Sequence, residues 1–254
     1  MTKFYHMNRK KSMKKVAPFN IFFYNNNMIY QVIQKKLFSH QDLKYREFML
    51  KSIPNEKDLI GVRMPILKRI ATDLLRSKDA HSYLLAQPKF HEEKILQALL
   101  SAQLFSSFDQ ISLVRAFIPK ITNWAVCDTF CTYLKQVQYN LSEFFNFIEP
   151  YLSSEKEFEV RVGLVLLLSY YINQEYLSHL FKILDKFHHQ GYYAKMAAAW
   201  LLSLCYLKYP KKTKEYLAVS KLDQDTFNKG IQKIIESNLT LKSDYVFLKS
   251  LKKH

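Results

Sequence analysis

From Met28 to the end of the chain, apolar residues recur three and four positions apart with few interruptions, the mark of amphipathic helices. The spacing predicts helices over about 28–38, 41–51, 65–77, 79–86, 90–106, 109–120 and 124–137. It continues with 141–153, 156–172, 174–188, 192–208, 211–220, 224–236 and 241–252. Punctuation agrees with these limits. Pro65 suits a first helical turn, Asp109 and Asn140 stand where N-caps belong, and Gly191 and Pro210 fall between elements. No stretch carries a convincing strand pattern.

So many short helices on short connections do not make one simple bundle. Successive pairs recur every 30 to 40 residues or about that, the length scale of HEAT-type repeats. The expected fold is all-α: an α-solenoid of HEAT-like helical pairs, curved so that one face is concave.

Composition narrows the functional classes. Of 254 residues, 48% are hydrophobic, which excludes wholesale disorder. Four Gly and seven Pro are too few for turn-rich β architectures or for the glycine loops of nucleotide-binding folds. Three cysteines, Cys127, Cys131 and Cys205, imply no disulfide framework and suit a reducing, cytoplasmic setting. No uncharged apolar run, Val162 to Ile172 included, reaches the roughly 20 residues a bilayer span needs, so no membrane partner is expected.

Charge changes the picture most. There are 38 Lys+Arg against 22 Asp+Glu, a net +16. Residues 1–27 carry Lys3, Arg9, Lys10, Lys11, Lys14 and Lys15 without an acid, and end on Asn25, Asn26 and Asn27. They read as a basic arm, disordered or preceding the true start at Met28, ahead of a domain spanning 28–254. Removing those six charges leaves 16 − 6 = +10 on the domain. The concave face is therefore expected to be basic and its partner a polyanion, DNA first.

Three places deviate from plain amphipathic packing. In Asn123-Trp124-Ala125-Val126-Cys127-Asp128, the indole and the carboxylate are four residues apart, about 40° around a helix axis. They make either an aromatic wall with an acid beside it or a core Trp with a solvated Asp. Cys127 and Cys131 share that helix, but without clustered His they do not suggest zinc. Arg161 is the single charge between Val160 and Ile172. A buried guanidinium needs an anion, either a carboxylate such as Asp128 or a ligand phosphate. In Lys195 to Ser203, the alanines Ala197, Ala198 and Ala199 admit a close neighbour, and Trp200 either projects into a groove or fills the core. No Walker loop, dinucleotide fingerprint or Ser-His-Asp set is present, and the eight His are scattered. No metal and no cofactor are expected.

At these residues the chain resembles the DNA alkylation repair family of HEAT-like DNA glycosylases. The likeness rests on Ile60-Gly61-Val62-Arg63-Met64-Pro65, Asn123 to Asp128, Phe158-Glu159-Val160-Arg161, Tyr193 to Trp200, and Phe227 to Ser237. The resemblance implies a superhelix holding duplex DNA, a monomer, and excision of N3- and N7-alkylated purines. It further implies that Trp124 and Trp200 cradle the damaged nucleotide's sugar, that Asp128 is the catalytic carboxylate, and that Arg161, Arg63 and Lys195 contact DNA. One departure stands out: active members carry a basic residue one turn beyond the second Trp, where this chain has Ser203. The opening from Lys44 to Arg63 also resembles a branch with a reduced N-terminal DNA-clamping region, whose members do not excise. A non-catalytic module for branched or deformed DNA is thus the alternative, followed by a protein-interaction scaffold.

Overall fold

The computed structural model describes residues 18–53, 56–104 and 110–252. Among them there is no strand, and fourteen α-helices follow one another. They are α1 (Pro18–Phe38), α2 (Leu43–Ser52), α3 (Met64–Arg76), α4 (Ala80–Leu84), α5 (His91–Leu104), α6 (Gln110–Phe117) and α7 (Trp124–Tyr133). Then come α8 (Leu141–Ile148), α9 (Glu157–Tyr170), α10 (Leu177–Lys186), α11 (Tyr192–Lys208), α12 (Pro210–Leu217), α13 (Gln224–Glu236) and α14 (Tyr245–Ser250).

Most limits fall where the apolar spacing puts them, and the differences have local causes. The predicted helix over 28–38 is the C-terminal part of α1, whose backbone begins at Pro18; residues 1–17 of the expected arm lie outside the described residues, as does the expected cap Asp109. Asn140 does precede α8, but its side chain makes no capping hydrogen bond. The elements expected at 124–137 and 141–153 each tighten into a 3₁₀ turn, over Lys135–Tyr139 and Glu149–Ser153. Pro150 explains the second, since it lacks the N–H an α-turn would use. The start of α10 is delayed to Leu177 because Asn173 Oδ1 accepts the Tyr176 N–H and closes a turn of its own.

The longer helices form one row. α3, α5, α7, α9, α11 and α13 pack side by side in that order, and α4, α8, α10, α12 and α14 lie against members of the row. This alternation is the solenoid of helical pairs that the repeat length suggests. Small residues set the closest approaches. Ala197, Ala198 and Ala199 are completely buried in α11. Gly230 of α13 sits so near that a Cβ there would lie 2.7 Å from Leu202 Cδ2. The positions that the row buries are mostly apolar. In α9 every residue from Val160 to Leu168 is buried, Arg161 among them.

Candidate active site and nucleic-acid interface

The start of α7 is built by Asn123. Its backbone is extended, and its Oδ1 accepts the Val126 N–H at 3.1 Å, satisfying one of the free donors of the first turn. Its Nδ2 donates to Glu56 Oε2 at 3.2 Å and stands 3.3 Å from His91 Nδ1. Glu56 also accepts two bonds from Lys94 Nζ, at 3.0 and 2.8 Å. Burial pushes the Glu56 carboxyl up, but His91 and Lys94 outweigh it and hold the group below its ordinary range.

From that cap, α7 turns one side outward: half-buried Trp124 and Asp128 and exposed Thr132, each four residues on. The Trp124 indole N–H donates to the Ser52 carbonyl at the end of α2, at 3.0 Å. Its ring packs partly on the core. Neither alternative for this motif holds alone: the Trp is anchored, yet it shares an open side with the acid.

Asp128 meets Arg161 of α9. Arg161 Nε donates to Oδ1 at 2.9 Å and Nη2 to Oδ2 at 2.7 Å, the planar two-bond geometry a guanidinium favours. Nη1 donates to the Tyr193 carbonyl in the first turn of α11, at 2.7 Å. The same residue's N–H donates to Glu157, so both backbone polar groups of Tyr193 are tied to α9. The Arg161 side chain is 7% exposed and that of Asp128 17%. Of the two possible anions for Arg161, the structure supplies the carboxylate. Burial pushes the Asp128 carboxyl above the usual range, with the guanidinium pulling against it.

Trp200 lies on the exposed side of α11, 37% accessible. It is seven residues beyond Tyr193, roughly 10 Å along the axis at 1.5 Å per residue. Half-buried Met196, Leu204 and Leu207 share its side of the helix, so the surroundings of Trp200 on α11 are apolar. Ser203 is buried, with its hydroxyl on the Trp200 carbonyl at 2.8 Å. The other two expected DNA contacts are also already paired. Arg63 bonds Asp42 at 2.9 Å and lies 4.8 Å from the Tyr45 ring centre. Lys195 is 3.3 Å from Asp225 and 4.0 Å from Asp223. All three cations therefore face carboxylates of the protein itself.

The Ile60 to Pro65 motif turns out to be a clamp. The buried Glu92 carboxylate accepts the N–H groups of Ile60, Gly61 and Val62 at 2.9, 2.7 and 3.1 Å. Gly61 has φ +96°, and a Cβ there would lie 2.6 Å from the Asp42 carbonyl oxygen, so glycine is required on both grounds. Sequence reasoning passed over Glu92, Glu56, His91 and Ser52. A signal existed for one of them: Glu92 and Glu93 sit in the first turn of α5, where carboxylates are favourable. Glu56 and Ser52 gave none, because their partners are far along the chain.

Among the described residues no group of three or more His, Cys, Asp or Glu could hold a metal ion, and no helix is long and apolar enough to cross a membrane. Cys127 and Cys131 are buried free thiols. A family model described as DNA alkylation repair enzyme matches residues 33–234. No curated protein matches the chain. The family match covers most of the sequence and every element from α2 to α12, and the chain belongs to the DNA alkylation repair enzyme family.

Proposed function

We propose that the protein is a DNA N-glycosylase that hydrolyses the bond between deoxyribose and an N3- or N7-alkylated purine in duplex DNA. The observation that carries this reading is the half-buried Asp128 carboxylate, held by two bonds from buried Arg161 and one turn from the anchored indole of Trp124.

Alkylation at N3 or N7 leaves the purine cationic and its glycosidic bond weakened. As that bond breaks, its electron pair returns to the purine, which leaves neutral, and positive charge develops on the sugar. A carboxylate already fixed in place stabilises that charge without reorganising. Arg161 engages one lone pair on each oxygen of Asp128, leaving others for the sugar or for a water that attacks C1′. The proton that water loses passes to the carboxylate or to solvent. The faces of Trp124 and Trp200 suit the same developing cation, at roughly 0.5–2 kcal/mol each. The lesion activates itself, so neither metal nor cofactor is required. A chain of net charge +16 supplies affinity by neutralising phosphates.

The test is release of methylated purine from alkylated duplex DNA by the purified protein. Release that Asp128→Asn abolishes supports the reading, and intact methylated DNA after prolonged incubation overturns it. Buried Ser203 and the apolar side of α11 favour the second reading, a family member that binds deformed DNA without excision. Tight binding with no release would select it.

A further inference from the structure

We propose that Glu56 is a positioning residue that sets the orientation of the first turn of α7, and through it Trp124 and Asp128. The inference rests on the reading that these two side chains carry the chemistry.

A helix cap needs only an acceptor, and Ser, Thr or Asp in place of Asn123 would serve. Asn123 does more. The Val126 N–H can only donate, so the amide atom facing it is the oxygen, and the atom facing Glu56 is the nitrogen. The amide plane is rigid. Fixing Nδ2 on Glu56 therefore aims Oδ1, and with it the start of the helix. Glu56 has no need of Asn123 to balance its charge, because Lys94 supplies two bonds to it. The bond to Asn123 is therefore one of orientation. A second link lies nearby: Ser52, four residues before Glu56, takes the Trp124 N–H on its carbonyl. Ser52 and Glu56 thus hold α7 twice, by its indole and by its cap, and Asp128 follows one turn further on.

Glu56 is 10% exposed as a side chain and Asn123 is buried, so neither is placed to touch a substrate. Their effect passes through Trp124 and Asp128. Misplacement of reacting groups by an ångström can cost up to about a hundredfold in rate.

Trp124 and Trp200 are the chain's two tryptophans, so a Trp200→Phe background makes Trp124 the sole indole reporter. In that background, Glu56→Leu, which removes the acceptor, is expected to shift Trp124 emission to the red and increase its quenching by acrylamide under conditions where circular dichroism shows the fold intact. In the protein with both tryptophans, Glu56→Leu is expected to lower kcat for base release by about tenfold while duplex affinity stays within about twofold. Should Glu56→Leu fail to fold, Asn123→Ser keeps a capping oxygen, removes the donor to Glu56, and is expected to give the same changes. Wild-type emission and kcat in a folded variant would overturn the proposal. If the wild-type protein releases no base, the glycosylase reading fails while the emission measurement still decides the role of Glu56.

Discussion

Asp128 of α7 and Arg161 of α9 form a two-bond ion pair at 2.9 and 2.7 Å, with the guanidinium nearly sealed and the carboxylate edge still open to solvent. The pair is at once a bond between two helices of the row and the centre of the proposed site. Those roles can be separated by experiment.

Removing one partner strands the other in a poorly hydrated place. Asp128→Asn is expected to cost about 3 kcal/mol, a fall in Tm of roughly 6–12 °C for a domain of this size. The double variant Asp128→Asn with Arg161→Met is expected to regain much of that stability and none of the base release. Calorimetry and the release assay check it. A double variant no more stable than Asp128→Asn would show that the pair is not the source of the loss.

Arg161 has its Nε and both Nη atoms bonded to Asp128 and the Tyr193 carbonyl. Arg161→Met is therefore expected to leave the slope of log affinity for duplex DNA against log salt unchanged. A slope shallower by about one phosphate contact would mean that Arg161 leaves the pair to reach the backbone.

The proposed chemistry needs Asp128 ionised, and burial raises its carboxyl above the usual value of about 3.9. Base release is expected to fall as pH drops, with its midpoint above that of an exposed Asp. A rate profile with no acid limb would exclude an ionised Asp128.

Trp124→Phe keeps the ring's apolar packing and removes the N–H that the Ser52 carbonyl accepts. The expected loss is about 1 kcal/mol of stability, read by urea denaturation. Base release is expected to fall further than the stability loss explains, because the ring is no longer held beside Asp128. Equal base release would confine the indole to a structural part.

Gly61→Ala adds a Cβ at φ +96°, 2.6 Å from a backbone oxygen. It is expected to cost at least about 1–3 kcal/mol and to loosen the segment that Glu92 clamps, raising amide exchange at Ile60 and Val62. Unchanged exchange there would show that the clamp tolerates the movement.

Much of this architecture was legible in the chain. Apolar spacing placed α3, α5, α9, α11 and α13 within a few residues: α3 and α13 bury a stripe set by their own sequence, while the middle of α5 and of α9 is buried on every side. The errors were local competitions, such as Pro150 tightening a turn and the Asn173 side chain delaying α10. The candidate site was legible as residue types: an indole and a carboxylate four apart, a lone arginine in an apolar helix, and a second indole behind three alanines. What their charges did was not. Arg63 and Lys195 read as phosphate contacts, and Arg161 as held by either a phosphate or a carboxylate such as Asp128; each has a carboxylate partner, 21, 30 and 33 residues away in turn.

By itself, then, the sequence determined which segments are helices, that they pair into a repeat, and which family the chain resembles. Those properties follow from periodicity and residue type over short spans. Only the tertiary structure decided that Asp128 is held by Arg161, that Asn123 is tied to Glu56 across 67 residues, and that Glu92 clamps Ile60 to Val62. Hydrogen bonds and ion pairs act over about 3 Å, and which distant groups come that close is set by how the helices stack, not by any pattern along the chain.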